Sequence, residues 1–160
     1  MRDMLVRLYA LPSGDDALAA CAARGVTIRR ALAPERVAVV DWVRTHFASA
    51  AAEVETAFAQ VPATCFIAVR NDAILGFACY DVTCRNYFGP EAVAAAERGC
   101  GIGRALLLAA LHTQRAQGYA YAIIGGVGPA EFYEKAVAAI AIPGSTPGIY
   151  AGMLTRRPSG

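Results

Sequence analysis

The sequence predicts one mixed α/β domain, and two stretches carry that expectation. Residues 65–81, CFIAVRNDAILGFACYD, read as two β-rich runs around an Asn71-Asp72 turn, the clearest hairpin in the chain. Residues 102–117 are apolar around most of a helical circumference (Ile102, Leu106, Leu107, Leu108, Leu111), as in a helix packed between layers. Gly118 closes that helix, and YAYAIIGG (119–126) follows as a buried strand. A helix and a hairpin that both need covering imply helices stacked on a sheet.

The remaining elements fall around these two. MLVRLYAL (4–11) reads as a strand. Ser13 and Asp16 resemble a capping box with Asp in place of Glu, opening a helix that ends before Gly25. VTIRRAL (26–32) alternates like a second strand. Pro34 suits the first turn of a helix running to about Phe47, and a further helix over roughly 49–60 carries Val54 and Phe58 at i, i+4. A short extended piece ends near Val93, EFYEKA begins a short helix near 130, and AIAIPGSTPGIYAGML implies two last strands around a Pro/Gly turn.

Composition narrows the function classes. At 160 residues the chain fits one domain with a real core. No charge-free apolar run reaches membrane-spanning length, and the N-terminus interleaves charge with apolar residues, so neither a transmembrane span nor a signal peptide is expected. A net charge of +2 with scattered basic residues argues against nucleic acid. The dibasic pairs Arg29-Arg30 and Arg156-Arg157 read as solvated surface. Five cysteines (Cys21, Cys65, Cys79, Cys84, Cys100) in no CxxC pair, with His46 and His112 isolated, make no metal pattern and read as reduced thiols of a cytoplasmic protein.

The segment ERGCGIGRALL (97–107) sets three glycines just before a helix, where each would cost about 1 kcal/mol inside a helix relative to alanine. A Walker A loop would need Lys-Ser/Thr after Gly103, where Arg104-Ala105 stands. A dinucleotide fingerprint would need glycine at 104 or 106, which are Arg and Leu. What remains is a glycine loop feeding a helix N-terminus, whose free N–H groups and positive dipole attract an anion.

Arg98-Gly99-Cys100-Gly101-Ile102-Gly103 resembles the (Arg/Gln)-x-x-Gly-x-(Gly/Ala) signature of the GNAT superfamily of acyl-CoA-dependent N-acetyltransferases, and Phe132-Tyr133-Glu134-Lys135 looks like the family's second landmark. The resemblance runs in order over roughly residues 25–155 and leaves 1–24 as an N-terminal strand–helix addition to a single domain spanning 1–160. It implies a mostly antiparallel central sheet flanked by helices, with two parallel strands splayed at the cofactor site. Those strands should be the one ending near Val93 and the one at 119–126.

The resemblance further implies acetyl-CoA as co-substrate without a metal. The coenzyme would be held by Ala92, Val93, Arg98, Gly99, Cys100, Gly101, Ile102, Gly103 and Arg104, with the loop amides on its pyrophosphate. Two positions depart from the family pattern. Cys100 stands where many members carry Arg or Lys, and about Gly126 stands where many carry a cofactor-bonding asparagine. Tyr133 becomes the general acid that protonates the departing thiolate. The base is open among Glu91, Asp81 and Glu131, with Glu91, near the end of the splayed strand, as the candidate. The reaction implied is acetyl transfer to a primary amine of a small molecule or peptide, by direct attack in a ternary complex. A non-catalytic acyl-CoA-binding module of the same fold is the rival. Asp41, Glu53, Glu55 and Asp81 are too dispersed to identify the acceptor. A homodimer is compatible with this reading; a nucleic-acid or membrane partner is not expected.

Overall fold

The computed structural model describes residues 2–155. Seven strands, β1 (Met4–Arg7), β2 (Thr27–Arg30), β3 (Cys65–Arg70), β4 (Ala73–Tyr80), β5 (Tyr87–Val93), β6 (Tyr121–Ile124) and β7 (Ile140–Ala141), form one sheet in the order β2-β3-β4-β5-β6-β1-β7. Every neighbouring pair is antiparallel except β5–β6. Helices α1 (Asp15–Ala23), α2 (Arg36–His46), α3 (Ala51–Phe58), α4 (Ile102–Ala116) and α5 (Ala130–Val137) cover it. This is the GNAT-type sheet with one parallel pair that the resemblance implied.

Strand alternation divides the core in two. On β4, Leu75, Ala78 and Tyr80 join the cluster with α1, α4 and α5, while Phe77 and Cys79 join the cluster with α2 and α3. Helix α4 is the centre of the first layer: Leu106, Leu107, Leu108 and Leu111 are all essentially inaccessible. Gln114 is the polar exception on its buried face. Its Nε2 reaches Asp81 Oδ1 and the carbonyl of Tyr87, both at 3.3 Å, and so ties the helix to the start of β5. The β3–β4 turn is as expected, with Asn71 (φ 49°) and Asp72 (φ 61°) in the left-handed region that a two-residue primed turn requires.

Four expectations need correction. The first strand stops at Arg7, because Leu8–Ala10 turn into a 3₁₀ segment that buries Leu8. The capping box does not form: Ser13 Oγ accepts the Asp15 N–H at 3.2 Å, but the Asp16 carboxylate turns away to Arg104. Only one of the two final strands exists, since Gly148–Tyr150 fold into a 3₁₀ turn. Arg29 and Arg30 are not simply solvated. Arg29 pairs with Glu35 at 2.6 Å, and Arg30 donates to the Ala63 carbonyl at 2.6 Å and to the buried Tyr80 hydroxyl at 2.7 Å. Arg156-Arg157 lie outside the described residues.

The N-terminal segment is woven into the sheet. Strand β1 lies between β6 and β7, paired on both edges, with Met4 and Val6 fully buried. All five cysteines are free; Cys21, Cys65 and Cys79 are buried, Cys84 is exposed and Cys100 is half-buried. Among the described residues no helix is long and apolar enough to cross a membrane, and no group of three or more His, Cys, Asp or Glu side chains could hold a metal.

Candidate active site

The site begins with a break in the sheet. Strands β5 and β6 share only two register pairs, Tyr87↔Ile123 and Phe88↔Ile124. The parallel ladder ends at Gly89-Pro90, where Gly89 takes φ 119° and Pro90 has no N–H to donate. Against β4 the register passes from Tyr80↔Phe88 to Ala78↔Glu91, so β5 carries one extra residue there, a β-bulge. Strand β5 then runs on to Val93 while β6 has ended at Ile124, and residues 89–93 keep one edge without a strand partner. Such an edge accepts an extended ligand as an added strand.

Beyond that edge the chain returns through the glycine loop into α4. Gly99 (φ 77°) and Gly101 (φ 84°) hold left-handed conformations, and a Cβ on either would meet nothing within 4 Å. The loop backbone is therefore open to close approach. Ala105 N–H closes the first turn of α4 onto Gly101 O at 3.0 Å, leaving the N–H groups of the preceding first-turn residues without helical acceptors. A cavity of about 650 Å³ lies over this end, lined by residues 91–93, 97–99 and 101–104 with Phe47, Pro129, Phe132 and Tyr133. The shape and donors fit an elongated ligand with an anionic portion at the helix N-terminus.

Of the residues singled out from sequence, Glu91, Ala92, Val93, Arg98, Gly99, Gly101, Ile102, Gly103, Arg104 and Tyr133 all line this cavity. Cys100 does not, because its Sγ turns back toward the Arg98 carbonyl at 3.7 Å. The two arginine side chains are engaged within the protein: Arg98 Nε donates to Val93 O at 3.1 Å, and Arg104 pairs with Asp16 of α1 at 3.1 Å. The Gly126 N–H is also taken, bonded to Asp3 Oδ1 at 2.9 Å.

Glu91 and Tyr133 meet at the centre. Tyr133 Oη donates to Glu91 Oε2 at 3.4 Å, and Glu91 Oε1 is buried without a partner. Burial pushes the Glu91 carboxyl up to about 8, with the Tyr133 hydrogen bond only partly opposing it. Burial, and then the charge of Glu91, hold the Tyr133 phenol above its ordinary value, so it remains a proton donor. The other two candidate carboxylates are engaged elsewhere. Asp81 accepts the Asn86 N–H at 2.7 Å, and Glu131 pairs with Lys135 at 2.7 Å on the exposed face of α5.

A second cavity of about 620 Å³ opens on the other side of the splay, and Glu91, Pro129 and Tyr133 line both. Its far wall is built by Glu53 of α3, Tyr87 of β5 and Tyr150 from the segment after β7. The Gly125-Gly126 pair lines this cavity, with the Tyr150 and Tyr87 rings against Gly125. Sequence reasoning missed Phe47, Tyr87, Tyr150 and Asp16. A glycine–proline step inside a strand was the available signal for the bulge that creates the gap.

Comparison with known proteins agrees with this geometry. Residues 62–136, from the approach to β3 through most of α5, match the acetyltransferase (GNAT) domain model. No curated protein matches the chain. Among solved structures, the chain resembles a GCN5-related glucosamine N-acetyltransferase region of a fungal multi-domain GH3 β-N-acetylglucosaminidase (TM-score 0.73, 13% identity, covering 88% of this chain and 19% of that one). It also resembles a GCN5-related N-acetyltransferase from Sphaerobacter thermophilus (TM-score 0.63, 18% identity, covering 88% of this chain and 48% of that one). At these identities the likeness is one of fold, and the chain spans less than half the length of either protein. A strand bulge, a glycine loop and a helix N-terminus on this sheet give the chain the fold of those N-acetyltransferase structures. Over residues 62–136 and in its fold, the chain is similar to GNAT acetyltransferases.

Proposed function

We propose that the chain, as a single domain, transfers an acetyl group from acetyl-CoA to a primary amine by direct attack in a ternary complex. One observation carries this reading: Glu91 and Tyr133 are paired at 3.4 Å where the two cavities meet. The helix-side cavity would hold the coenzyme. The amides of residues 99–104 face its pyrophosphate, and the free edge of β5, at Ala92 and Val93, bonds its amide-bearing arm. Arg104 would exchange Asp16 for a phosphate oxygen. Cys100 would contribute through its backbone.

The residues then divide the work. Glu91, ionised, takes a proton from the ammonium in the second cavity, directly or through one water. The amine lone pair attacks the thioester carbonyl carbon, the C–S bond breaks, and Tyr133 Oη gives its proton to the departing thiolate. The nitrogen, now bonded to the carbonyl carbon, releases its second proton to solvent, and the Tyr133–Glu91 hydrogen bond lets the proton gathered by Glu91 restore the phenol, so the site ends as it began. The fungal neighbour is a glucosamine N-acetyltransferase region, which agrees with an amine as acceptor.

The experiment is a thiol-release assay with acetyl-CoA and a library of primary amines, alongside calorimetric titration of acetyl-CoA. Amine-dependent CoA release supports the reading. Tight acetyl-CoA binding with no release for any amine would assign the chain to a non-catalytic acyl-CoA-binding role instead.

A further inference from the structure

The second cavity has a chemistry of its own. Its lining contains two carboxylates, Glu53 and Glu91, and among the described residues no Lys, Arg or His. Glu53 Oε1 accepts the Thr83 hydroxyl, which orients the carboxylate at the rim. Behind the wall, the buried Asp3 stands beside Tyr87 and Tyr150. Burial, and then the charges of Asp3 and Glu53, push the Tyr150 phenol up to about 12. Glu91, whose Oε1 is buried without a partner, lines both this cavity and the helix-side one. Between the carboxylates the surface is apolar and aromatic, made by Tyr87, Phe88, Ile124, Tyr150 and Met153.

A cationic amine finds the Glu53 carboxylate and ring faces there. A carboxylate or phosphate on the same molecule finds repulsion and no cation to pair with, and an unpaired charge taken out of water is costly. We propose that the acceptor is a primary ammonium on an apolar, preferentially aromatic body that carries no carboxylate or phosphate, with Glu53 setting the charge selection at the rim. This rests on the acetyl-transfer reading for the reacting end. The amine-binding cavity itself is testable without turnover.

The test is calorimetric titration of the full chain, with CoA present in excess, using phenethylamine, phenylalanine and glucosamine 6-phosphate. Phenethylamine should bind at least tenfold more tightly than either compound that carries an anionic group. Glu53→Gln, nearly isosteric and still able to accept from Thr83, should weaken phenethylamine at least fivefold. Glu53→Lys should reverse the preference toward phenylalanine, with circular dichroism and thermal midpoint near wild type. Equal or tighter binding of phenylalanine, no binding of phenethylamine, or an unchanged preference in folded Glu53 variants would overturn the proposal. If phenethylamine binds as expected but no acetyl group is transferred to it, the cavity assignment stands and the acetyl-transfer reading falls.

Discussion

A carboxyl held near 8 beside a phenol held above its usual range behaves differently on the two sides of pH 8. If Glu91 is the base, kcat should rise with pH through an apparent pKa near 8 and then level off, since Tyr133 stays protonated there. Glu91→Gln should lower kcat and remove that limb; a mutant keeping the wild-type pH profile would exclude the role. The same shift bears on stability. Folding raises the Glu91 pKa from its ordinary 4.5 to about 8, so the folded state binds its proton more tightly than the unfolded chain. Its contribution is fully present below about 4.5 and is lost as pH rises through about 8. Urea midpoints should therefore decline over that window in wild type and decline less in Glu91→Gln. Tyr133→Phe removes one hydroxyl and should lower kcat by about 10²-fold with acetyl-CoA affinity intact. Wild-type turnover would make Tyr133 a packing residue against Phe88 and Phe132, whose rings it already meets edge-on.

At the scale of elements, the glycine loop and α4 act as one unit. Gly101→Asp sets a carboxylate beside the helix N-terminus and forces a side chain to φ 84°. The strain is about 1 kcal/mol, and acetyl-CoA affinity should fall at least tenfold, about 1.4 kcal/mol, with the circular dichroism spectrum kept. Unchanged affinity by calorimetry would remove the phosphate cradle. The Asp16–Arg104 pair supplies a converse prediction. Asp16→Asn should release Arg104 and tighten acetyl-CoA binding severalfold, and weaker binding would show that Arg104 needs Asp16 to be positioned. Much at this scale was legible in the sequence. The hairpin turn, the 102–116 helix and the glycine loop depend on contacts among near neighbours, which local pattern reports directly. The Gly89-Pro90 bulge was not read, although its residues announce it. The loss of the capping box and of the last strand could not be read, because Asp16 finds Arg104, and Tyr150 packs on Gly125, only after the whole sheet is assembled. Glu53, one of several scattered acidic residues in sequence, lines the cavity and accepts from Thr83, whereas Asp41 and Glu55 pair with Arg44.

Across the whole molecule, the sheet is completed by the strand that comes first in the chain. Met4 and Val6 are fully buried between β6 and β7, so Met4→Ala should cost roughly 2–5 kcal/mol in urea denaturation. A loss under about 0.5 kcal/mol, the range of surface substitutions, would show that β1 is dispensable. The placement also has a consequence in time. During synthesis, residues 4–7 leave the ribosome long before residues 121–124 and 140–141, the partners on their two sides. Until those emerge, MLVR has no native strand to pair with, and the sheet cannot close by the sequential zipping of neighbours that builds β3 onto β4. The segment MLVR stays uncommitted until residues 121–141 have been made, and closure of the sheet waits on pairings of long sequence separation.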